Sequence, residues 1–373
     1  MAEVPTVSPH SLTRRHIVYA CLVAVAAFLA FDGLVFRSGL YAAITEPNST
    51  AGAFELTYRR ELQKQSELGG NLIVTLGDSR FGYLPRQANQ LSEESGYVFR
   101  HAGVAGSDAR TWFYMLRDLD PTARRYRAVV FGVNDYDDED TGYLPDDDPG
   151  PMHAFIGHLR LSDIVEFAGS FPTPSLRWSV FRGSVLKGFV YQQDVHALLS
   201  NPLKRLDDVR MGRDDWPQWT YDYEEDPRSL AGLQIDWKQW RATFPPGADD
   251  VQRETVHDIL MRPVAEQRGV MAAFRRRWFG KIFDHYLSSP TRIIFVRLAR
   301  GPVPRPGNLV VKRSASIREF AALPNVSLAQ EHLLDVLERP DYFKDGTHVN
   351  REGAAQFAPL LVREVRRILG PPQ

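Results

Sequence analysis

The chain has a single cysteine, Cys21, among its 373 residues, so no disulfide can form within it. It has no excess of either charge, since 45 basic residues are matched by 46 acidic ones. Nucleic-acid-binding proteins usually carry a basic surface, and this composition does not support one. The histidines between residues 153 and 332 have no cysteine or carboxylate partners at metal-ligand spacing, so we expect no metal site and no cofactor. The sequence also contains no internal repeat.

One hydrophobic run is long enough to cross a bilayer. From Ile17 to Phe36 the only charged residue is Asp32, close to the far end. About twenty apolar residues span a bilayer core, and a carboxylate near the distal headgroups costs much less than one at mid-membrane. Arg14 and Arg15 precede the run, so the positive-inside rule predicts a cytoplasmic N-terminus. We therefore expect a single-pass inner-membrane protein whose remaining chain lies in the periplasm or outside the cell.

A cleaved signal peptide is the alternative interpretation of this run. Its apolar core would stop at Phe31, with the small residues Ala42 and Ala43 beyond it. The residues from Gly33 to Phe36 extend the run past a normal signal core, which favours an uncleaved anchor. Both interpretations export the rest of the chain.

Short apolar segments alternate with helical ones along the remaining chain, and this order predicts an α/β fold with a parallel sheet. The predicted strands are 71–76, 97–99, 128–132, 292–296 and 325–328. Helices are predicted over 54–68, 108–118 and 351–369, the last from an apolar stripe. Reactive groups in such sheets collect at the carboxyl ends of the strands.

These elements divide the chain into three regions. Residues 1–37 form the cytoplasmic tail and membrane anchor, 38–70 a linker with a helix, and 71–373 a catalytic domain. Within the domain, residues 142–290 interrupt the alternation, and we interpret them as a mostly helical insertion or cap. The insertion holds six of the seven tryptophans, which either pack it onto the core or form a stacking wall for sugar rings.

Three short motifs lie where predicted strands end or where the last helix begins. Gly77-Asp78-Ser79-Arg80 places a hydroxyl at a strand-to-helix turn, near N–H groups that stabilise developing negative charge. Gly132-Val133-Asn134-Asp135 places an amide where it can donate to an oxyanion. Asp345-Gly346-Thr347-His348 places a carboxylate where it can hold an imidazole in one tautomer. Each motif alone is usually a turn or a helix cap, but their combination in this order predicts a serine-dependent site.

With these motifs the sequence resembles the SGNH (GDSL-like) hydrolases. A fourth block of that superfamily, a glycine after the second strand, matches Gly106 within residues 102–107, and we prefer it to Gly103. The resemblance covers about residues 71–140 and 290–369 and implies a three-layer α/β/α fold. It implies Ser79 as nucleophile, His348 as base and Asp345 as the group that orients it. The implied oxyanion hole consists of the Ser79 backbone, Gly106 and Asn134.

The sequence departs from the free esterases of this superfamily after the nucleophile, where Arg80-Phe81-Gly82 replaces a run of small residues. With its anchor, the chain is similar to the membrane-anchored members that act in alginate and peptidoglycan O-acetylation. That similarity implies acetyl transfer to an extracytoplasmic polysaccharide, with a multi-pass membrane acyltransferase as donor. An acetylesterase and a catalytically idle polysaccharide-binding or assembly protein are the alternatives. Asp78, Arg80 and Asp135 are the candidate substrate contacts.

Overall fold

Five parallel strands form the central sheet of the protein. The structure is a computed structural model that describes residues 14–47, 49–64, 70–81, 91–93, 95–133, 155–215, 230–261, 268–306 and 315–372. The strands are β1 (Leu72–Leu76), β2 (Val98–His101), β3 (Ala128–Val133), β6 (Arg292–Arg297) and β7 (Val326–Leu328), in the spatial order β2-β1-β3-β6-β7. Two further strands, β4 (Gln234–Asp236) and β5 (Arg241–Thr243), form a separate antiparallel hairpin. The predicted α/β class with a parallel sheet is confirmed.

The strands form because apolar and β-branched residues are buried on both faces of the sheet. Every residue of β1 and β3 is buried. Successive side chains of a strand point to opposite faces. Accordingly Val129 and Phe131 pack into one hydrophobic cluster, whereas Ala128 and Val130 pack into a second cluster.

Helices cover the sheet, and their bounds in the described part of the chain follow in chain order. They are α1 (Arg14–Asp32), α2 (Thr50–Gln63), α3 (Ala109–Leu119), α4 (Ile164–Gly169), α5 (Pro174–Val185), α6 (Gln192–Ser200), α7 (Pro202–Asp215), α8 (Asp250–Thr255), α9 (Arg268–His285), α10 (Ala315–Phe320) and α11 (Arg351–Leu369). The first cluster includes residues of α2, α3 and α9, and the second includes the buried stripe of α11.

The N-terminal helix α1 is long and apolar enough to cross a membrane, and it continues into a π-helical turn, Gly33–Arg37. Most side chains of α1 are exposed rather than packed on the protein. The sequence predicts Asp32 near the distal headgroups, and the structure adds that its side chain is buried against the insertion. There it accepts hydrogen bonds from the backbone N–H groups of Lys187 and Gly188.

The described part of the insertion contacts the rest of the protein through three segments, one of which is α9, already placed in the first cluster. Residues 155–215 lie against α1 and α2; for example, His158 and Tyr191 both bond the buried carboxylate of Glu55. Residues 230–261 join the second cluster, on the face of the sheet that carries α11. The described secondary structure of the insertion is mostly helical, with the β4–β5 hairpin as the exception.

Candidate active site

Ser79 follows the carboxyl end of β1 and opens a short 3₁₀ turn, Ser79–Phe81. The turn closes with a hydrogen bond from the Phe81 N–H to the Asp78 carbonyl at 3.0 Å. Phe81 is fully buried and lies so close to Gly77 that a Cβ at position 77 would be 2.7 Å from the Phe81 Cβ. Glycine at position 77 therefore lets Phe81 pack beneath the turn, which holds Ser79 at the end of the strand.

His348 and Asp345 come from the loop that precedes α11, and they meet Ser79 directly. Nε2 of His348 lies 2.8 Å from Oγ of Ser79. Nδ1 of His348 lies 2.8 and 3.0 Å from the two carboxylate oxygens of Asp345. The three predicted side chains thus form one continuous chain of hydrogen bonds. Nδ1 faces a carboxylate, so it carries the proton and leaves Nε2 as an acceptor for the serine hydroxyl.

The carboxylate of Asp345 is held by its own loop as well as by His348. Its Oδ1 accepts the backbone N–H groups of Thr347 and His348, both at 2.8 Å. Burial alone would raise the pKa of Asp345, but the bond to His348 and these backbone donors together lower it below its usual range. The carboxylate therefore stays ionised, which favours the imidazolium that forms when His348 accepts a proton.

The insertion supports this loop, a role that the sequence did not indicate. A Cβ at Gly346 would lie 2.7 Å from the backbone of Thr255, so glycine is needed for the close approach. Gln252 donates its side-chain N–H to the Lys344 carbonyl at 2.6 Å. Gly346-Thr347 before α11 indicates a tight turn in the sequence, but it does not indicate which segment packs against that turn.

Asp78 and Arg80, predicted as substrate contacts, bond each other beside the nucleophile. The Arg80 guanidinium lies 2.6 Å from the Asp78 carboxylate, and the Arg80 N–H donates to the same group at 2.9 Å. Burial alone would raise the pKa of Asp78, but the charge and hydrogen bonds of Arg80 lower it. The pair therefore stays ionised next to Ser79.

Gly106 lies in a tight turn that packs against the nucleophile segment. The Ser107 N–H bonds the Val104 carbonyl at 3.0 Å, and Gly106 has a φ of +67°, which a glycine at this turn position adopts without strain. Closing the turn does not use the N–H of Gly106. As the first residue of its own turn, Ser79 likewise has an N–H without an acceptor inside that turn. The predicted oxyanion-hole roles of Ser79 and Gly106 stay predictions, with both N–H groups outside the hydrogen bonds that close their own turns.

Ser107 and Trp112, which sequence reasoning missed, hold the Gly106 turn in place. Ser107 Oγ donates to the Gly77 carbonyl at 3.1 Å and accepts the indole N–H of Trp112 at 2.8 Å. Gly103 approaches the same segment, since a Cβ there would lie 2.6 Å from the Gly77 oxygen. The serine directly after Gly106 was the available signal, because a hydroxyl in a turn commonly bonds nearby backbone.

Asn134 and Asp135 lie outside the described residues, so their predicted roles in the oxyanion hole and in substrate contact stay predictions. In the part of the chain that the structure describes, no group of three or more His, Cys, Asp or Glu side chains is arranged to hold a metal ion. No protein-family model matches the chain, and no curated protein matches it.

Proposed function

We propose that the protein is a serine-dependent acyl-transfer enzyme in which Ser79 is transiently acylated. The observation that carries the proposal is the hydrogen-bonded series Ser79–His348–Asp345 at the carboxyl end of β1. A serine is a weak nucleophile until a neighbouring base removes its proton, and this arrangement supplies both the base and the group that orients it.

The chemistry proceeds in two steps. Nε2 of His348 takes the Ser79 proton as Oγ bonds the acyl carbon of the donor ester, and the resulting oxyanion is stabilised by the N–H groups of Ser79 and Gly106. The C–O bond to the leaving alcohol then breaks, and His348 returns the proton to that alcohol. In the second step His348 deprotonates an acceptor hydroxyl, whose oxygen attacks the acyl carbon. The bond from that carbon to Oγ breaks, and His348 returns the proton to Ser79.

The resemblance to the SGNH hydrolases forms part of the proposal, including a three-layer α/β/α arrangement. Two observations support it. The hydrophobic clusters lie on opposite faces of one parallel sheet, and the motif residues after β1, after β2 and before α11 lie close together.

An extracytoplasmic polysaccharide is the proposed acceptor. The N-terminal helix α1, which is long and apolar enough to cross a membrane, supports this part, because a tethered domain outside the cytoplasm would meet surface polymers rather than soluble metabolites. Coenzyme A thioesters stay in the cytoplasm, so a transferase in this position needs another acyl source, and the resemblance implies a multi-pass membrane acyltransferase in that role. If water replaces the sugar hydroxyl in the second step, the same residues perform ester hydrolysis.

Labelling with a fluorophosphonate probe tests the nucleophile in the full chain in non-ionic detergent. We expect the probe to modify Ser79, with no labelling of Ser79→Ala and strongly reduced labelling of His348→Gln. His332→Gln is the matched control, because His332 pairs with Asp335 at 2.7 Å on the exposed surface in a similar His–Asp contact. Equal labelling of the wild type and Ser79→Ala, or none of either, would contradict the proposal and favour an idle binding protein.

Acceptor chemistry is tested separately with an acetyl ester, in water alone or with an oligosaccharide added. Acetylated oligosaccharide that depends on Ser79 supports the transferase. Release of acetate without acetylated product identifies an esterase instead.

A further inference from the structure

The carboxyl-terminal end of the candidate membrane helix α1 is bonded to the insertion rather than joined to it by a free linker. The Asp32 carboxylate accepts the N–H groups of Lys187 at 3.1 Å and Gly188 at 2.7 Å. The Arg37 guanidinium donates to the carbonyls of Ser184 at 2.8 Å and Val185 at 2.9 Å, at the end of α5. These contacts tie one end of the π-helical turn to the last residues of α5 and the other end to the segment that follows α5.

Aromatic side chains also pack between the end of α1 and the segment around the end of α5, a contact region that we call the junction. The ring of Phe36 stacks on Tyr191 with 5.7 Å between centroids and 10° between planes. A Cβ at Gly188 would lie 3.0 Å from the Phe36 ring and 3.1 Å from the Asp32 carboxylate, so these two side chains lie directly against the Gly188 backbone. These contacts therefore hold the end of α5 against the end of α1.

Beside this junction the protein exposes apolar side chains that we call the aromatic face: Trp178, Phe181, Val185 and Phe189. The three on α5 have a spacing of three and four residues, which places them on one side of the helix. Trp178 is 62% exposed, and its ring stacks on Phe181 at 5.9 Å. The opposite side of α5, with Leu176 and Val180, is buried in the protein.

The charge on α5 is of one sign. Its sequence contains Arg177 and Arg182 and no acidic residue. The Arg182 guanidinium lies over the Phe189 ring at 4.6 Å, so a positive charge accompanies the aromatic face. Tryptophan and phenylalanine beside arginine are typical of segments that lie at a membrane surface and contact anionic headgroups.

We propose that the aromatic face is inserted into the surface of the bilayer leaflet in which α1 ends. The occupant is lipid because the face is continuous with the span: Val185 belongs to the face, and its carbonyl bonds Arg37 five residues beyond Asp32. The end of a span lies at the headgroups, so Val185, which is fixed next to it, lies at about the same depth. The catalytic domain is then held against the membrane by two contacts, the span and the aromatic face.

Membrane depth can be measured without reference to activity. The full chain with Cys21→Ser would carry a single nitroxide, at Trp178→Cys or at the control Leu287→Cys, in nanodiscs of phosphatidylcholine and phosphatidylglycerol in equal parts. Leu287 is 66% exposed and follows the end of α9, where His285 contacts the Asp120 carbonyl rather than a residue of the junction. We expect the label at 178 to be reached by oxygen in preference to a polar nickel complex, and the label at 287 to show the reverse.

Equal access of the nickel complex to both labels would overturn the proposal. Protection of position 178 only in discs that hold two copies would also overturn it, by identifying a second chain as the occupant. Brominated lipids give an independent measurement on protein without cysteine substitution. Trp178→Phe should lose the quenched part of the tryptophan fluorescence, whereas Trp240→Phe, which removes another partly exposed tryptophan, should retain it.

Discussion

Nε2 of His348 lies 2.8 Å from Oγ of Ser79, although the two residues are 269 positions apart in the chain. The contact exists because the loop before α11 meets β1 at the carboxyl end of the strand. The His348 loop is in turn supported by the insertion through Gln252 and Thr255. Assembly of the site therefore requires the sheet, the last helix and the insertion together.

Asp345→Asn tests the orientation of the histidine. We expect kcat to fall by roughly 10⁴-fold, because an amide no longer selects the tautomer with the proton on Nδ1 or stabilises the imidazolium. Measured kcat and KM would show the loss mainly in kcat. Asp341→Asn, a change at an exposed carboxylate near the same loop, should leave kcat unchanged.

Gly103→Ala tests the close approach between the second-strand loop and the nucleophile segment. The new Cβ would lie 2.6 Å from the Gly77 oxygen, so one segment must move, at a cost of about 1–3 kcal/mol. We expect a lower Tm and slower probe labelling of Ser79. Gly169→Ala, where a Cβ meets nothing within 4 Å, should leave both measurements unchanged or raise Tm. An unchanged labelling rate in Gly103→Ala would contradict the packing described.

Ser107→Ala tests the hydroxyl that holds the Gly106 turn. The substitution leaves the buried Trp112 indole N–H without its acceptor, which costs about 1–3 kcal/mol of unfolding free energy. The same substitution in a Trp112→Phe background should cost less, because no indole N–H remains to be paired. Equal costs in the two backgrounds, measured by urea unfolding, would argue against the hydrogen bond.

His101 is expected to make stability depend on pH. Burial lowers the pKa of His101 from 6.5 to about 3, so between these values the unfolded chain binds a proton that the folded protein does not. Stability should therefore fall as the pH is lowered through this window, by up to about 1.4 kcal/mol per pH unit. Melting curves at pH 6.5 and 4.5 should show a smaller difference for His101→Gln than for the wild type. An identical difference would mean that His101 does not titrate in this way.

The mature protein is predicted to retain α1. Cleavage after Ala43 would remove Asp32, Phe36 and Tyr41, of which Asp32 and Tyr41 are buried against the insertion. Intact mass measurement of the membrane-extracted protein should therefore give the uncleaved chain. A mass that corresponds to a start near Ala43 would support the signal-peptide alternative.

The sheet could be predicted from the sequence because its strands are short, apolar runs bounded by glycine and polar residues. The final helix, Arg351–Leu369, was predicted with the bounds that the structure shows, since Asn350 caps its start and Gly370 follows its end. Ser79, Asp345 and His348 could be proposed because each lies at an element boundary. The contacts of Ser107 and Thr255 could not, because they depend on which distant segments meet. The docking of Asp32 on Lys187 was also missed, since a carboxylate at the end of an apolar run indicates the headgroups and not a protein contact.

Formation of an acyl-serine tests the central claim most directly. The full chain in detergent would be mixed with an activated acetyl ester, quenched in acid and analysed by peptide mass spectrometry, beside Ser79→Ala and His348→Gln. The account predicts one acetyl group on Ser79 in the wild type, none at position 79 in Ser79→Ala, and slow accumulation in His348→Gln. Absence of acetyl-Ser79 from the wild type, or its formation at the same rate in His348→Gln, would contradict a nucleophilic Ser79 activated by His348.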